Sequence, residues 1–335
     1  MNAQKITLRR FAMAALAVMS SLALVVSLWG CAGNTGSGSG GSATKKVCFV
    51  EIVDNDAFAT MIDGFKKQME ASGYKDVQYD TKNAQGDQST LNQIAAQLKN
   101  SDYDVIVPIA TPPAQACVNA NIAKPMVFMS VTDPVNAGVT SSLESPDKGM
   151  TGTTNFADVE AIFSFGKELI PDVYDKPVGI IYCSSDTNSE ATANDAVDYL
   201  KKQGVQTEVR TVSTSSEVQQ AGQALVATCG SIYVPADSIV QVSMAALTDV
   251  ATKAGIPVFG TDPVMTETGA LQSVSCTNDN VGAESAKLAI QLLEGKSANE
   301  VPVYVLPSID KSVNKETAKA LGINIDENSS SYRVI

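Results

Sequence analysis

Asp133, Asp237 and Asp262 each stand just beyond a short apolar run, where a carboxylate can accept hydrogen bonds from a ligand ammonium. At least one of the three is expected to do so. Each also has a local use open to it. Asp133 and Asp262 precede proline, are held extended and could fold back on their own turns, while Asp237 could cap a helix. Ser184, Ser185, Asn188 and Ser189 follow the apolar run from Val178 to Cys183 and precede a helical stretch. Free N–H groups and partial positive charge at such a helix start suit a carboxylate, with plain N-capping as the competing use. Thr111 follows the run ending at Pro108, and Pro112-Pro113 fits a helix start. Gln85 and Asn55 stand in two further loops of this kind. A ligand with one ammonium and one carboxylate, an amino acid or a close relative, satisfies these opposed groups.

Other chemistries are excluded by what is missing. The chain has no histidine, so no Ser-His-Asp or Cys-His catalysis and no His-ligated zinc can be built from it. Carboxylate-pair or Ser-Lys chemistry is left, and no spacing singles either out. The reading is therefore of a protein that is not an enzyme and needs no cofactor and no metal. Gly295-Lys296-Ser297 resembles the end of a phosphate-binding loop, but Ile290 takes the place of its first glycine and a helix precedes it. It reads as a helix C-cap. The only tryptophan, Trp29, lies ahead of the folded part, which weakens a sugar ligand stacked on an aromatic face. Cys48, Cys117, Cys183, Cys229 and Cys276 are odd in number and lack metal-ligand spacing, and they read as buried small apolar residues in preference to a disulfide framework.

The elements that must position these groups show a duplication. Thr-Asp-Pro-Val occurs at Thr132 to Val135 and again at Thr261 to Val264. Each copy closes the same pattern: an apolar run ending in Val-Pro, a helical stretch, and a second apolar run entered through proline. The runs are Val105 to Pro108 and Met126 to Phe128 in the first half, and Ile232 to Pro235 and Val258 to Phe259 in the second. Helices are expected from Ala114 to Ala123 and from Val240 to Ala254 and a strand at Val301 to Leu306, while Thr151 to Phe156 is expected to carry the chain across to the second lobe. Such alternation indicates βαβ units on parallel sheets. The fold class is α/β with two Rossmann-like lobes, and ligands of open α/β sheets sit beyond the strand C-termini.

Lys5, Arg9 and Arg10 precede an uncharged apolar run from Phe11 to Trp29, which reads as a secretory signal. Leu28-Trp29-Gly30-Cys31 resembles a lipobox, with Cys31 lipidated after cleavage, although Trp29 stands where small residues are usual. A plain membrane anchor is the alternative, and either places the rest outside the cytoplasm. Residues 31–45 form a Gly/Ser tether. The formal net charge of −12 becomes three units more negative once the signal is removed, and such a surface repels nucleic acid.

Several segments carry a family resemblance. Asn83-Ala84-Gln85-Gly86-Asp87-Gln88-Ser89-Thr90-Leu91-Asn92-Gln93-Ile94, Ile109-Ala110-Thr111-Pro112, Val131-Thr132-Asp133-Pro134-Val135, Ser216-Glu217-Val218-Gln219-Gln220-Ala221 and the stretch from Lys315 to Ile323 resemble substrate-binding lipoproteins of ABC importers of the tryptophan/tyrosine transport type. The resemblance runs from about Val47 to Ile323. It implies a type I periplasmic-binding-protein clamshell, with two lobes joined by three crossovers and a ligand enclosed by hinge closure. Lobe 1 is then 46–156 plus 280–302, and lobe 2 is 157–279 plus 303–335. The implied function is capture of a small solute, an amino acid with aromatic ones among the candidates, by a monomer anchored through its lipid, for delivery to a permease and its ATPase. The alternative is a sensing domain of the same fold acting on a signalling partner. Two positions depart from the family pattern: Asn55-Asp56 stands in place of a His-Pro pair, and Cys183 in place of an asparagine. Asp133 lies inside a family motif, whereas Asp262 rests on the repeat alone, so Asp133 is the preferred ammonium partner.

Overall fold

Alternation in the first strand, β1 (Lys45–Glu51), builds both faces of a sheet. Val47 and Phe49 enter one buried cluster, and Cys48 and Val50 enter another on the opposite side. Successive strand residues point to opposite faces, so a strand covered by helices on both sides must be apolar throughout. The computed structural model describes residues 44–154, 156–307 and 310–335. The expected signal, Cys31 and all but the end of the tether lie outside the described residues.

The first run continues through α1 (Asp56–Ala71), β2 (Val77–Asn83), α2 (Gln88–Leu98), β3 (Val105–Pro108), α3 (Thr111–Asn119), β4 (Met126–Phe128) and β5 (Met150–Thr154). A second begins with α4 (Val159–Leu169), β6 (Val178–Cys183), α5 (Thr187–Lys202), β7 (Thr207–Val212), α6 (Val218–Leu225) and β8 (Ser231–Tyr233). It goes on with α7 (Ser238–Gln241), α8 (Met244–Lys253), β9 (Val258–Gly260), α9 (Pro263–Glu267) and β10 (Gln272–Ser275). The end of the chain supplies α10 (Asn278–Leu293), β11 (Tyr304–Val305), β12 (Asp310–Val313), α11 (Lys315–Ala320) and β13 (Arg333–Val334).

Two sheets result, ordered β2-β1-β3-β4-β5-β11 and β7-β6-β8-β9-β10-β12-β13. All pairings are parallel except β10 with β12. The core of each sheet repeats one doubly wound order, which places the two Thr-Asp-Pro-Val copies alike, after β4 and after β9. Each sheet separates two apolar clusters, giving two three-layer lobes. After β10 the chain leaves the second sheet, and α10 packs on α1 and on β3, β4 and β5 of the first.

Four expectations are corrected in detail. Tyr304 pairs with Thr153, so residues up to Val305 remain with the first sheet and the last crossing comes after them, not at 302. The strand expected over Val301 to Leu306 is only two residues long, because Tyr304 and Val305 lie on an exposed edge. Thr151 to Thr154 is an integral strand, so the first crossing follows it. The helix expected over Val240 to Ala254 is interrupted before Met244, where the Ser243 hydroxyl donates to the Ser215 carbonyl (2.8 Å).

Candidate functional site

The strand C-termini of the two sheets face one another across a cavity with about 490 Å³ of space not filled by protein atoms, open in part to solvent. The first sheet contributes Ala110 and Thr111 after β3 and Ser130 and Thr132 after β4. Phe58 and Met61, one turn apart on α1, add an apolar wall. From the second sheet come Asp186 and Asn188 after β6, Asp237, Ser238 and Gln241 after β8, and Thr261, Asp262 and Met265 after β9. The lobes meet here directly. The Gln115 amide donates to the Thr187 hydroxyl (3.3 Å), and Ile239 packs against an apolar cluster of each lobe.

Three carboxylates line this cavity, and each begins a helix. Asp186 accepts from the Asn188 and Ser189 N–H groups (3.0 and 3.2 Å) at the start of α5. Asp237 accepts from Ile239 and Val240 (both 2.9 Å), and its other oxygen takes the Cys183 N–H at the end of β6 (2.6 Å). Asp262 accepts from Val264 (2.8 Å) and from the Asn278 side chain at the start of α10 (3.1 Å). Capping satisfies helix N–H groups that have no partner within the helix. Burial nonetheless raises all three above the usual carboxylate range, and the nearness of Asp237 raises Asp186 further. For Asp262 the value is pushed up to about 6, chiefly by burial and further by the nearby Glu267. A cationic group in the cavity would reverse that effect.

The first-sheet wall is shaped by strained backbone. Ala110 has φ 68° and ψ 176°, a region that glycine occupies freely and other residues enter at a cost of about 1–3 kcal/mol. Ser130, at the end of the neighbouring strand, has φ 60°. Both border the cavity, which is where such strain tends to be found.

The family model for ABC transporter substrate binding proteins matches residues 46–333. The chain belongs to that family. Among relatives, a tyrosine-binding protein of Clostridioides difficile (strain R20291) is 34% identical over 304 residues, 88% of each chain. An ABC domain from Streptococcus pneumonia in complex with L-Trp superposes with a TM-score of 0.83 at 27% identity, covering 88% of this chain and 100% of that one. The ligand-free, open form of a substrate-binding protein with adhesive properties from Clostridium difficile gives a TM-score of 0.64 at 31% identity, covering 87% and 99%. The Gln115–Thr187 hydrogen bond and the Ile239 packing join the two lobes of this substrate-binding protein beside the cavity. The family is one of binding proteins, not enzymes, and it works outside the cytoplasm.

The residues expected from the sequence divide into two groups in this binding protein. Thr111, Asn188, Asp237 and Asp262 border the cavity. Asn55, Gln85, Asp133, Ser184, Ser185 and Ser189 are not among its lining residues. Asp133, the preferred ammonium partner, turns back to accept from the Asn136 N–H and side-chain amide (3.0 and 2.5 Å). The second repeat has Met265 where the first has Asn136, so Asp262 lacks a side-chain amide there; it takes the Val264 N–H and the Asn278 amide and borders the cavity. Ser184 and Ser185 are exposed, and the Ser189 hydroxyl is spent on the Ala236 carbonyl (2.9 Å). Asn55 caps α1 through Phe58 (2.9 Å), and Gln85 sits exposed in a left-handed turn. Asp186 was not among the candidates, although it follows β6 as Asn55 follows β1, and that correspondence was the available signal. The five cysteines after the tether are all buried thiols. Among the described residues, no metal-holding cluster occurs and no helix is long and apolar enough to cross a membrane.

A pH dependence follows from the raised carboxylates. Folded values above the unfolded ones mean that the folded, ligand-free protein holds extra protons in mildly acidic solution. The stability these groups contribute is full below about pH 4 and is lost as the pH rises through their raised values, about 6 for Asp262 and about 7 for Asp186. Glu51, pushed up to about 7 by burial at the end of β1, adds to the same slope. Ammonium binding runs the other way, since proton and ligand compete for the same oxygens. Affinity for an ammonium ligand is expected to rise from pH 5 to pH 7.5, with protons released on binding near pH 6. Calorimetry in buffers of different ionisation enthalpy reads both, and a flat profile would contradict the assignment.

Proposed function

We propose that this chain is the extracytoplasmic solute-binding lipoprotein of an ABC importer and captures an aromatic amino acid between its lobes. The observation that carries the reading is the interlobe cavity, with Asp186, Asp237 and Asp262 on one wall and hydroxyl groups with Phe58 and Met61 on the other. An ammonium finds acceptors on the second lobe, and a ring finds Phe58, Met61 and Met265, whose sulfurs contact aromatic faces favourably. The tyrosine-binding and tryptophan-bound relatives support the aromatic ligand. Contacts from both lobes make the closed state the bound state, which a permease and its ATPase can recognise without any chemistry. In this reading Cys31 carries the lipid, residues 31–45 tether a monomer to the membrane, and residues 46–156 with 280–305 form the lobe opposite 157–279 with 306–335.

The test is a thermal shift of the purified protein against the common amino acids. At a hundredfold excess over Kd a ligand adds about 2.7 kcal/mol, expected here as a rise in Tm of about 5–10 °C for tryptophan or tyrosine. No shift with any amino acid would sink the proposal.

A further inference from the structure

The cavity lining is lopsided in charge. Three aspartates border it, and among the described residues no lysine or arginine does. The Asn188 amide oxygen, on a side chain more than nine-tenths buried, also has no protein hydrogen bond. In Asp186 and Asp262 the cap hydrogen bonds run through Oδ1, and Oδ2 takes no part in them. The second-lobe wall thus presents acceptors in excess, which suits a group with several donors. An ammonium has three.

Among the described residues, the facing wall offers an anion no positively charged side chain. Two helices start on this wall: α3 begins Thr111-Pro112-Pro113, and proline has no N–H, while α1 begins at acidic Asp56 with the Phe58 N–H already taken by Asn55. The Ala114 N–H donates to the Ala110 carbonyl (3.3 Å), and the Ala110 N–H to the Met129 carbonyl (2.8 Å). The Ser130 N–H donates to the Thr153 hydroxyl (3.2 Å). A ligand carboxylate on this side therefore meets neutral hydroxyls such as Thr111 and Thr132 and the start of α1, whose first residue Asp56 is itself acidic, and among the described residues it meets no lysine or arginine. Hydrogen bonds to a charged partner are the stronger kind, so the ammonium end should carry most of the polar recognition.

We propose that the site also takes aromatic primary amines that have no carboxylate, of the tryptamine and tyramine type. The ammonium and the ring are the recognised ends, and the carboxylate of an amino acid is nearly dispensable. This inference rests on the amino-acid reading above, and the probes are chosen to separate the two. The full chain in detergent is titrated with L-tryptophan and L-tyrosine, with tryptamine and tyramine, and with 3-indolepropionic and 4-hydroxyphenylpropionic acids. The amines are expected to bind within about thirtyfold of the amino acids, and the acids more than a hundredfold more weakly. Asp262→Asn should weaken amine and amino acid by similar factors. If the amino acids bind and the amines fall more than thirtyfold behind, the inference is overturned while the amino-acid reading stands. If neither class binds, both fall.

Discussion

Asp262→Ala is expected to weaken ligand binding by about tenfold to a hundredfold, while Asp133→Ala leaves it within about threefold. The two aspartates occupy the same place in a repeated Thr-Asp-Pro-Val, each after the fourth strand of its sheet core. Their surroundings set them apart. Asp133 already has both hydrogen bonds it needs from Asn136, and it is not among the cavity-lining residues. Asp262 borders the cavity, is pushed up to about 6 by burial, and has in Asn278 a partner on another element. Losing a hydrogen bond to a charged group costs about 1.5–3 kcal/mol, which is the source of the expected factor. Alanine also removes the α9 cap, worth about 1 kcal/mol of stability, so Asp262→Asn serves as the companion variant. Calorimetry with tryptophan or tyrosine makes the comparison. A larger loss at Asp133 would restore the assignment that the family motif favours.

The same pair shows how far the sequence could be read. The repeat correctly marked equivalent loops, because loop position follows from strand order and strand order from apolar runs such as Val105 to Pro108. Which side chain in a loop turns inward depends on its neighbours' donors, and that information lay one residue beyond the repeat, in Asn136 and Met265. Asp186 was passed over for a related reason: a run of serines around it offered many equally polar candidates, and only burial separates Asp186 from exposed Ser184 and Ser185. Strained Ala110 carries no mark in the sequence at all, since alanine is unremarkable until its backbone angles are known. Among the elements, the buried strands were legible and the edge was not. Tyr304 and Val305 pair with the first sheet while staying exposed, so no cluster of apolar neighbours announces them. The break between α7 and α8 is similarly hidden, because the apolar pattern continues across it while Ser243 bonds elsewhere.

The largest stability loss is expected at the crossing of α1 and α10. A Cβ added to Gly282 would lie 1.9 Å from the Met61 carbonyl oxygen and 2.7 Å from the Phe65 nitrogen. One added to Gly64 would lie 2.3 Å from the Asp279 carbonyl oxygen. These neighbours are backbone, so no side chain can swing aside, and the helices must separate instead. Separation would open the cluster formed by Phe58, Met61, Phe65, Val281, Leu288 and Leu292. Overpacking a core costs about 1–3 kcal/mol where side chains can yield, and the upper end or more is expected for Gly282→Ala. At about 2–4 °C per kcal/mol, Tm should fall by about 6–12 °C, whereas Lys287→Ala on the exposed face of α10 should change it by less than about 2 °C. The effect should also reach the ligand. Asn278, the first residue of α10, holds Asp262, so shifting this helix loosens a cavity carboxylate from outside the cavity. Weaker binding by Gly282→Ala at a temperature where it is still folded would show that coupling, and an unchanged Tm would remove its basis.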